Sequence, residues 1–451
     1  MNGRAIIGSE MGLGKSLLAL LTAEHFRDAR PVVIVCPASI KWMWEEQARQ
    51  HMGLRVEVLE GTRPPREGLK RRRDFVVVNY DILGQTRGSH TGPGWLKYLK
   101  ALNPQMVILD EIQAIKNRTT LQGRSVKELC RGVPHVLGLS GTPLVNRPAE
   151  LWHPLHVIRP KLFPSFHQFA HRYTKPRRTP WGWDFSGASN LDELHGILTD
   201  PKTGCLVRRR KANVLDQLPP KRRTVIPLDL MGRREYQRAV TDFLGWLAEH
   251  SPAKARRAAR AQTIVQLGEL KRLAARLKLP AVFTWVDGWL MESDEKLVIF
   301  AIHRSILKSL HERYRGISVR VDGSVTGIKR QQAIDKFILN KRTRLFLGNI
   351  KAAGTGWSAK GVSEVAFVEI PWSPGDVLQA EDRAHGIGRG VEGRHTSIHF
   401  LVAKNTIEEK LLKIVQTKQG VLDSVLDGKT DGNTLDVFDL LEKALLREAR
   451  V

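Results

Sequence analysis

The sequence predicts an α/β protein with two parallel-sheet lobes and a helical stretch between them. Three observations carry this expectation. Short, wholly apolar runs recur along the chain, each followed by polar or turn residues. The pattern breaks off between residues 156 and 290 and then returns. A chain of 451 residues also exceeds what one hydrophobic core usually organises.

The apolar runs define the lobes. Val32-Val33-Ile34-Val35, Phe75-Val76-Val77-Val78, Met106-Val107-Ile108-Leu109 and Val136-Leu137-Gly138-Leu139 have the continuous hydrophobicity of strands covered on both faces. They assign residues 1–155 to the first lobe. Leu297-Val298-Ile299-Phe300, Val319-Arg320-Val321, Arg344-Leu345-Phe346-Leu347, Val365-Ala366-Phe367-Val368 and Ile398-His399-Phe400-Leu401 assign residues 291–420 to the second. Residues 156–230 mix aromatics, Pro and Arg, with a loop-like stretch from His171 to Trp183. Residues 231–290 read as helical, and residues 421–451 as a turn followed by an amphipathic helix from Leu435 to Arg447.

Composition narrows the function. Lys and Arg total 72 against 46 Asp and Glu, a net charge of +26, which favours a polyanionic partner because neutralised phosphates release counterions. A merely soluble basic protein is the ordinary alternative. No run of about 18 apolar residues occurs, so no membrane span is expected. Cys36, Cys130 and Cys205 are odd in number and widely spaced, which fits a reducing, intracellular setting without disulfides or a zinc cluster. No secretory leader is expected ahead of the first motif.

That motif is Ser9-Glu10-Met11-Gly12-Leu13-Gly14-Lys15-Ser16, between a short apolar strand and a helical run. Met11, Gly12, Leu13 and Gly14 would curl backbone N–H groups around phosphates. Lys15 would reach the β/γ-phosphates of a nucleotide, and the Ser16 hydroxyl would bind Mg²⁺. The strict pattern has Gly where Ser9 stands. Asp110-Glu111 ends an apolar run, where α/β sheets bind ligands. Asp110 would hold Mg²⁺ and Glu111 would polarise the attacking water. Ser140-Gly141-Thr142-Pro143 follows the next run, and its hydroxyls Ser140 and Thr142 are candidates for relaying nucleotide state. In isolation these would read as a helix-capping turn, a solvated acidic pair and a strand-end turn. Their order along one chain argues for a nucleotide site.

That order, together with Val-Cys-Pro-Ala-Ser-Ile-Lys-Trp (35–42), Val-Val-Val-Asn-Tyr (76–80) and Asp-Glu-Ile-Gln-Ala-Ile-Lys-Asn (110–117), resembles the Swi/Snf-type ATPases of helicase superfamily 2. The second half agrees through Asp322-Gly323-Ser324, Ala352-Ala353-Gly354-Thr355-Gly356, Pro371-Trp372-Ser373-Pro374-Gly375 and Gln379-Ala380-Glu381-Asp382-Arg383-Ala384-His385. Asn146 to Leu151, Leu218 to Arg223 and Leu401 to Thr406 are similar to the HepA-related annealing-helicase branch. The resemblance implies two RecA-like lobes with helical protrusions over 156–230 and 231–290. It implies ATP and Mg²⁺ as ligands, and an ATP-dependent translocase or remodeller of double-stranded DNA, forked or branched DNA included. Gln379 and Arg383 would complete the site, with Arg383 as the γ-phosphate finger. Ser39, Lys41, Trp42, Asn79, Tyr80, Ser324 and Thr355 would follow the DNA backbone, and Gln113 would couple the two functions.

Some features depart from the family pattern. Gly386 stands where a second arginine is usual, with Arg389 three residues on. Gln113 replaces a common His. The sequence opens at the phosphate loop without the adenine-reading glutamine segment, which implies either weaker nucleotide affinity or base selectivity or a protein that starts earlier; the fork-recognition domains of the annealing branch are also missing from it. Gly386 and the missing glutamine segment keep open a DNA-binding scaffold with weak or absent hydrolysis; an RNA-stimulated ATPase is a further alternative, which the family-type protrusions disfavour. The basic runs 70–73, 208–211 and 254–260 would extend a nucleic-acid surface or stand as solvated faces. His167 and His171 have the i,i+4 spacing of metal ligands, but Gln168 and the lack of a third ligand argue against that reading.

Overall fold

The computed structural model describes residues 3–61, 74–84, 94–144, 147–179, 182–215, 221–249, 256–325, 327–353, 357, 359, 361–385 and 395–427. The chain divides into two compact units, Met1–Asp216 with Gly420–Thr434 and Gln217–Gln419 with Leu435–Val451.

The first unit holds β1 (Arg4–Ile7), β2 (Val32–Cys36), β3 (Val56–Val58), β4 (Phe75–Asn79), β5 (Met106–Asp110), β6 (His135–Leu139), β7 (Arg177–Thr179), β8 (Gly182–Asp184) and β9 (Leu206–Val207). Seven of these form one sheet in the order β3-β4-β2-β5-β6-β1-β9, with every pairing parallel. All residues of β2, β4 and β5 are buried, because helices cover both faces of a parallel sheet. Arg4 pins the sheet to two of those helices. Its guanidinium donates to the carbonyls of Cys130 and Val133, beyond helix Leu121–Leu129, and to those of Val157 and Ile158, at the end of helix Trp152–Ile158. One cation thus meets the negative ends of two helices.

The second unit holds β10 (Lys221–Leu228), β11 (Leu297–Ala301), β12 (Ser318–Val321), β13 (Leu345–Asn349), β14 (Glu364–Phe367) and β15 (Thr396–Ala403). They form a second parallel sheet, ordered β10-β15-β14-β11-β13-β12. Helices Arg233–Glu249 and Arg256–Leu277 contribute Tyr236, Phe243, Leu267, Leu270 and Ala274 to this unit's core, and helix Leu279–Glu292 contributes Val282 and Val286.

The chain departs from the sequence expectation in three places. The segment 156–230 is divided between the units, with residues 221–228 forming the edge strand β10. Its sequence lacks an apolar run because an edge strand exposes most of its residues and tolerates Pro227. The stretch from His171 to Trp183 is not a loop: it ends in an antiparallel hairpin of β7 and β8. No turn occurs at Val421, since helix Ile407–Asp427 runs through it. The amphipathic helix expected at 435–447 lies outside the described residues.

The three cysteines are buried and unpaired, and burial raises each thiol's pKa, to about 12 for Cys130 and about 11 for Cys205. No helix among the described residues is long and apolar enough to cross a membrane.

His153 is buried at 2% exposure, with Nδ1 2.6 Å from the Ile115 carbonyl, so Nδ1 carries the proton. Burial lowers its pKa to about 4. The unfolded chain therefore binds a proton here that the folded chain refuses as pH falls from about 6.5 towards 4. First-unit stability should decline over that window by about 3 kcal/mol from this group. The decline should be smaller in His153→Gln, as read from urea unfolding at several pH values.

Candidate nucleotide site and its relatives

The site of the first unit is built by strand adjacency. β5, β6 and β1 lie side by side, with Asp110 paired to Leu139 and Leu139 paired to Ile7. The loops leaving their carboxyl ends therefore meet at one edge of the sheet, the usual ligand edge of α/β folds. From β1 the chain passes through Gly12 (φ +86°) and Gly14 (φ +67°), conformations that glycine adopts without steric cost. Helix Lys15–His25 then starts with neither a side-chain cap nor an acidic residue in its first turn. Such a terminus presents backbone N–H groups and positive dipole to an anion. The Lys15 ammonium donates to the carbonyls of Ser9 (2.9 Å) and Glu10 (3.1 Å). Ser16 is half-buried beside it.

Asp110 lies at the end of β5 at 7% exposure. Its Oδ2 accepts from the Trp44 indole N–H at 2.8 Å, its Oδ1 accepts from the Glu111 amide at 2.9 Å, and its carbonyl accepts from the Tyr80 hydroxyl at 2.8 Å. Burial and the adjacent Glu111 raise its pKa to about 7, against the opposing pull of Trp44 and Lys15. Glu111 has φ +52°, a left-handed conformation that costs a non-glycine residue about 1 kcal/mol or more. The Gln113 side chain donates to its carboxylate at 2.6 Å. From β6, the Ser140 amide donates to the Ile7 carbonyl and the Ser140 hydroxyl accepts from the Thr142 amide at 3.0 Å. The structure thus brings Met11, Gly12, Leu13, Gly14, Lys15, Ser16, Asp110, Glu111, Gln113, Ser140 and Thr142 to one edge.

The structure places three groups singled out in the sequence in local contacts. Lys41 is buried and donates to the Leu59 carbonyl at 2.8 Å, so its ammonium does not face a nucleic-acid surface. Tyr80 lies in the core with its hydroxyl on Asp110; its place is beneath the carboxylate. The run 208–211 flanks the phosphate loop: Arg208 donates to the Gly8 carbonyl, Glu10 N–H to the Arg209 carbonyl, and Lys211 N–H to the Glu10 carboxylate. Parallel pairing of β9 with β1 draws it there. Ser39 and Trp42 are exposed, whereas Asn79 is buried and donates to Asp81. Trp44, which no motif singled out, is a site residue seen only in three dimensions.

In the second unit Gln379 lies on helix Pro374–Glu381. Arg383 follows it at 7% exposure, donating to the carbonyls of Trp357 (2.8 Å) and Gln379 (3.2 Å). Glu381 between them is fully buried and accepts two bonds from Arg223, at 2.8 and 2.7 Å, and one from Lys221 at 3.0 Å. Burial pushes the Glu381 carboxyl up, but the two cations outweigh it and hold its pKa below the usual value. Ser324 is exposed after β12, with its amide and hydroxyl both donating to Asp322. Thr355, Gly386 and Arg389 lie outside the described residues, as does the run 70–73. His167 and His171 set their Nε2 atoms 3.1 Å apart, and among the described residues no third His, Cys, Asp or Glu joins them.

Gly141 is the tightest joint of the first-unit site. A Cβ there would stand 2.4 Å from Met11 Cγ and 3.4 Å from Lys15 Nζ. Gly141→Ala should therefore cost about 1–3 kcal/mol of first-unit stability through overpacking, and adding Met11→Ala should recover part of it. Urea unfolding of the two variants measures both outcomes.

Residues 2–276 match the family model of the SNF2-related domain, and residues 278–388 match that of the helicase conserved C-terminal domain. The chain is 31% identical over 424 residues to the SWI/SNF-related matrix-associated actin-dependent regulator of chromatin subfamily A-like protein 1 of Xenopus tropicalis, covering 93% of the chain and 43% of that protein. It is 31% identical over 449 residues to the mouse DNA annealing helicase and endonuclease ZRANB3, covering 95% of the chain and 40% of that protein. The chain thus spans about two fifths of the length of these relatives. The SWI2/SNF2 ATPase core of Sulfolobus solfataricus in complex with dsDNA superposes with a TM-score of 0.42 at 22% identity, covering 99% of the chain and 92% of that core. With residues 2–276, more than half of the chain, matched by that one family model, this chain belongs to the SNF2-related family.

Proposed function

We propose that the chain is a DNA-dependent ATPase that couples hydrolysis to translocation along, or reannealing of, double-stranded DNA. The convergence of the phosphate loop, the Asp110-Glu111 pair and the Ser140–Thr142 turn at one sheet edge carries the reading. The +26 charge and the annealing helicase named among the relatives support DNA as the partner.

In this reading the amides of Gly12 to Lys15 and the helix N-terminus cradle the phosphates of ATP. Lys15 exchanges the Ser9 and Glu10 carbonyls for phosphate oxygens. The hydroxyl of Ser16 and the carboxylate of Asp110 form a hard-oxygen pair suited to Mg²⁺, which neutralises charge between the phosphates when bound. Trp44 and Tyr80 fix Asp110 in place for that task. Glu111, oriented by Gln113, activates water, and the pair couples that step to DNA through the neighbouring Ser140 and Thr142. Gln379 and Arg383 act on the γ-phosphate in turnover, which requires Arg383 to exchange a carbonyl for a phosphate oxygen. Ser39, Trp42, Ser324 and Thr355 remain the proposed backbone contacts, and Asn79, buried on Asp81, drops out with Lys41 and Tyr80. An intracellular site of action fits the three free cysteines.

Steady-state phosphate release tests the proposal. Duplex DNA should stimulate it more than RNA does. Lys15→Ala should impair nucleotide binding. Glu111→Gln should bind ATP and DNA yet turn over at least about 10²-fold more slowly, the usual reach of general-base catalysis. Arg383→Ala should lower turnover by about 10³-fold or more if it is the sole finger. Unchanged turnover in Lys15→Ala and Glu111→Gln would refute the assignment. DNA affinity should fall steeply with salt, with a log–log slope of roughly −0.9 per phosphate neutralised. A flat response in a salt titration would remove the backbone-contact reading.

A further inference from the structure

The hairpin of β7 and β8 has no part in the nucleotide site, and its surface is unusual. Lys175, Arg177, Arg178, Thr179 and Trp183 are all exposed, with Trp183 at 46%. Antiparallel register sets Arg178 directly opposite Trp183, so a guanidinium and an indole share one face. Asp184, the one acid on the strands, is engaged locally by the amide and hydroxyl of Ser186, at 3.1 and 3.0 Å. The nearby Glu193 is held by Arg172 and Tyr173. The hairpin therefore presents positive charge beside an open aromatic ring.

Its base is tied to the neighbouring chain. The Lys175 amide donates to the Ser189 hydroxyl at 2.9 Å, and that hydroxyl donates to the Arg172 carbonyl at 2.8 Å. Gly187 passes so close to the other arm that a Cβ would stand 2.4 Å from the Thr174 carbonyl. A free two-stranded hairpin is only marginally stable, and these ties anchor its base to the preceding helix. The aromatic surface also continues away from the hairpin. Trp183 meets His171 at 4.5 Å between ring centroids, His171 meets Phe185 at 5.6 Å, and Phe185 meets Phe166 at 5.6 Å. The Arg118 guanidinium covers Phe166 at 4.6 Å. Arg118 in turn lines a cavity of about 310 Å³ together with Arg124 and Lys127.

We propose that this basic, aromatic surface binds single-stranded DNA, with Trp183 stacking on an unpaired base while Arg178 and the cations around Arg118 engage phosphates. Aromatic platforms flanked by cations are the chemistry that single strands select, since every base offers a π-face and every linkage a charge. A paired base is stacked on its neighbours and offers no free face, so the surface reads the place where a strand leaves its duplex. The inference deepens the proposed DNA function by naming the strand form engaged, and it rests on DNA being the partner.

The test uses the full chain and two probes: a blunt duplex, and the same duplex with a single-stranded DNA tail carrying 2-aminopurine at its first unpaired positions. Anisotropy and 2-aminopurine quenching are measured without nucleotide, so the result does not depend on hydrolysis. Trp183→Ala should weaken binding to the tailed probe by roughly tenfold, abolish the quench, and leave blunt-duplex binding and duplex-stimulated phosphate release unchanged. Trp183→Phe should restore most of both signals, as a merely structural role would not require. Equal binding of both probes by wild type and Trp183→Ala would overturn the inference while leaving the DNA-dependent ATPase intact. A change in self-association without a change in DNA binding would overturn it in favour of a contact between copies. Loss of duplex-stimulated phosphate release in wild type would instead defeat the broader proposal.

Discussion

The parallel register of β5, β6 and β1 is the constraint from which the first-unit site follows. Parallel strands in one sheet end at one edge, so three segments spread between Arg4 and Leu139 deliver their loops together. The hydrogen-bond ladder from Asp110 through Leu139 to Ile7 sets their relative height. A shift of one residue in β5 would turn Asp110 to the opposite face and away from the Trp44 indole. Arg4 protects this register from behind, by tying β1 to the carbonyl ends of two helices.

Legibility in the sequence followed burial. The central strands were readable because coverage on both faces demands continuous apolar residues, as in Val32 to Val35 and Leu297 to Phe300. The edge strands were not. Lys221 to Leu228 is basic and mostly exposed, and Leu206-Val207 is too short to register as a run. Within the site, the phosphate loop and Asp110-Glu111 announced themselves through residue types that few other settings require. Trp44 and Tyr80 did not, because each acts through one contact across 66 and 30 residues of chain. A tryptophan in an amphipathic helix looks like core until its N–H is seen to meet a carboxylate. Lys41 misled for the same reason: a lysine beside a motif looks solvent-facing until the Leu59 carbonyl is found beside its ammonium.

The second unit relies on buried charge where the first relies on strand register. Glu381 is held by Lys221 and Arg223, Glu408 by Lys278 and the Ala403 amide, and Glu369 by His303 and two backbone amides. Such groups are expensive to desolvate, and they add little net stability over well-packed apolar residues. Their value is in specifying position. Glu381 lies between Gln379 and Arg383, so the strand that opens the second unit determines where that segment stands. Lys221 and Arg223 thereby brace the segment that carries Arg383.

The three sequestered cysteines have a practical consequence. A thiol reacts as thiolate, and reaction further requires access. Cys36, Cys130 and Cys205 have neither, being buried with raised pKa values. The native chain is therefore a chemically silent background for maleimide labelling. A single cysteine placed on an exposed position of each unit would take a fluorophore without removing any native residue, and the distance between the units could then be followed on individual molecules in solution.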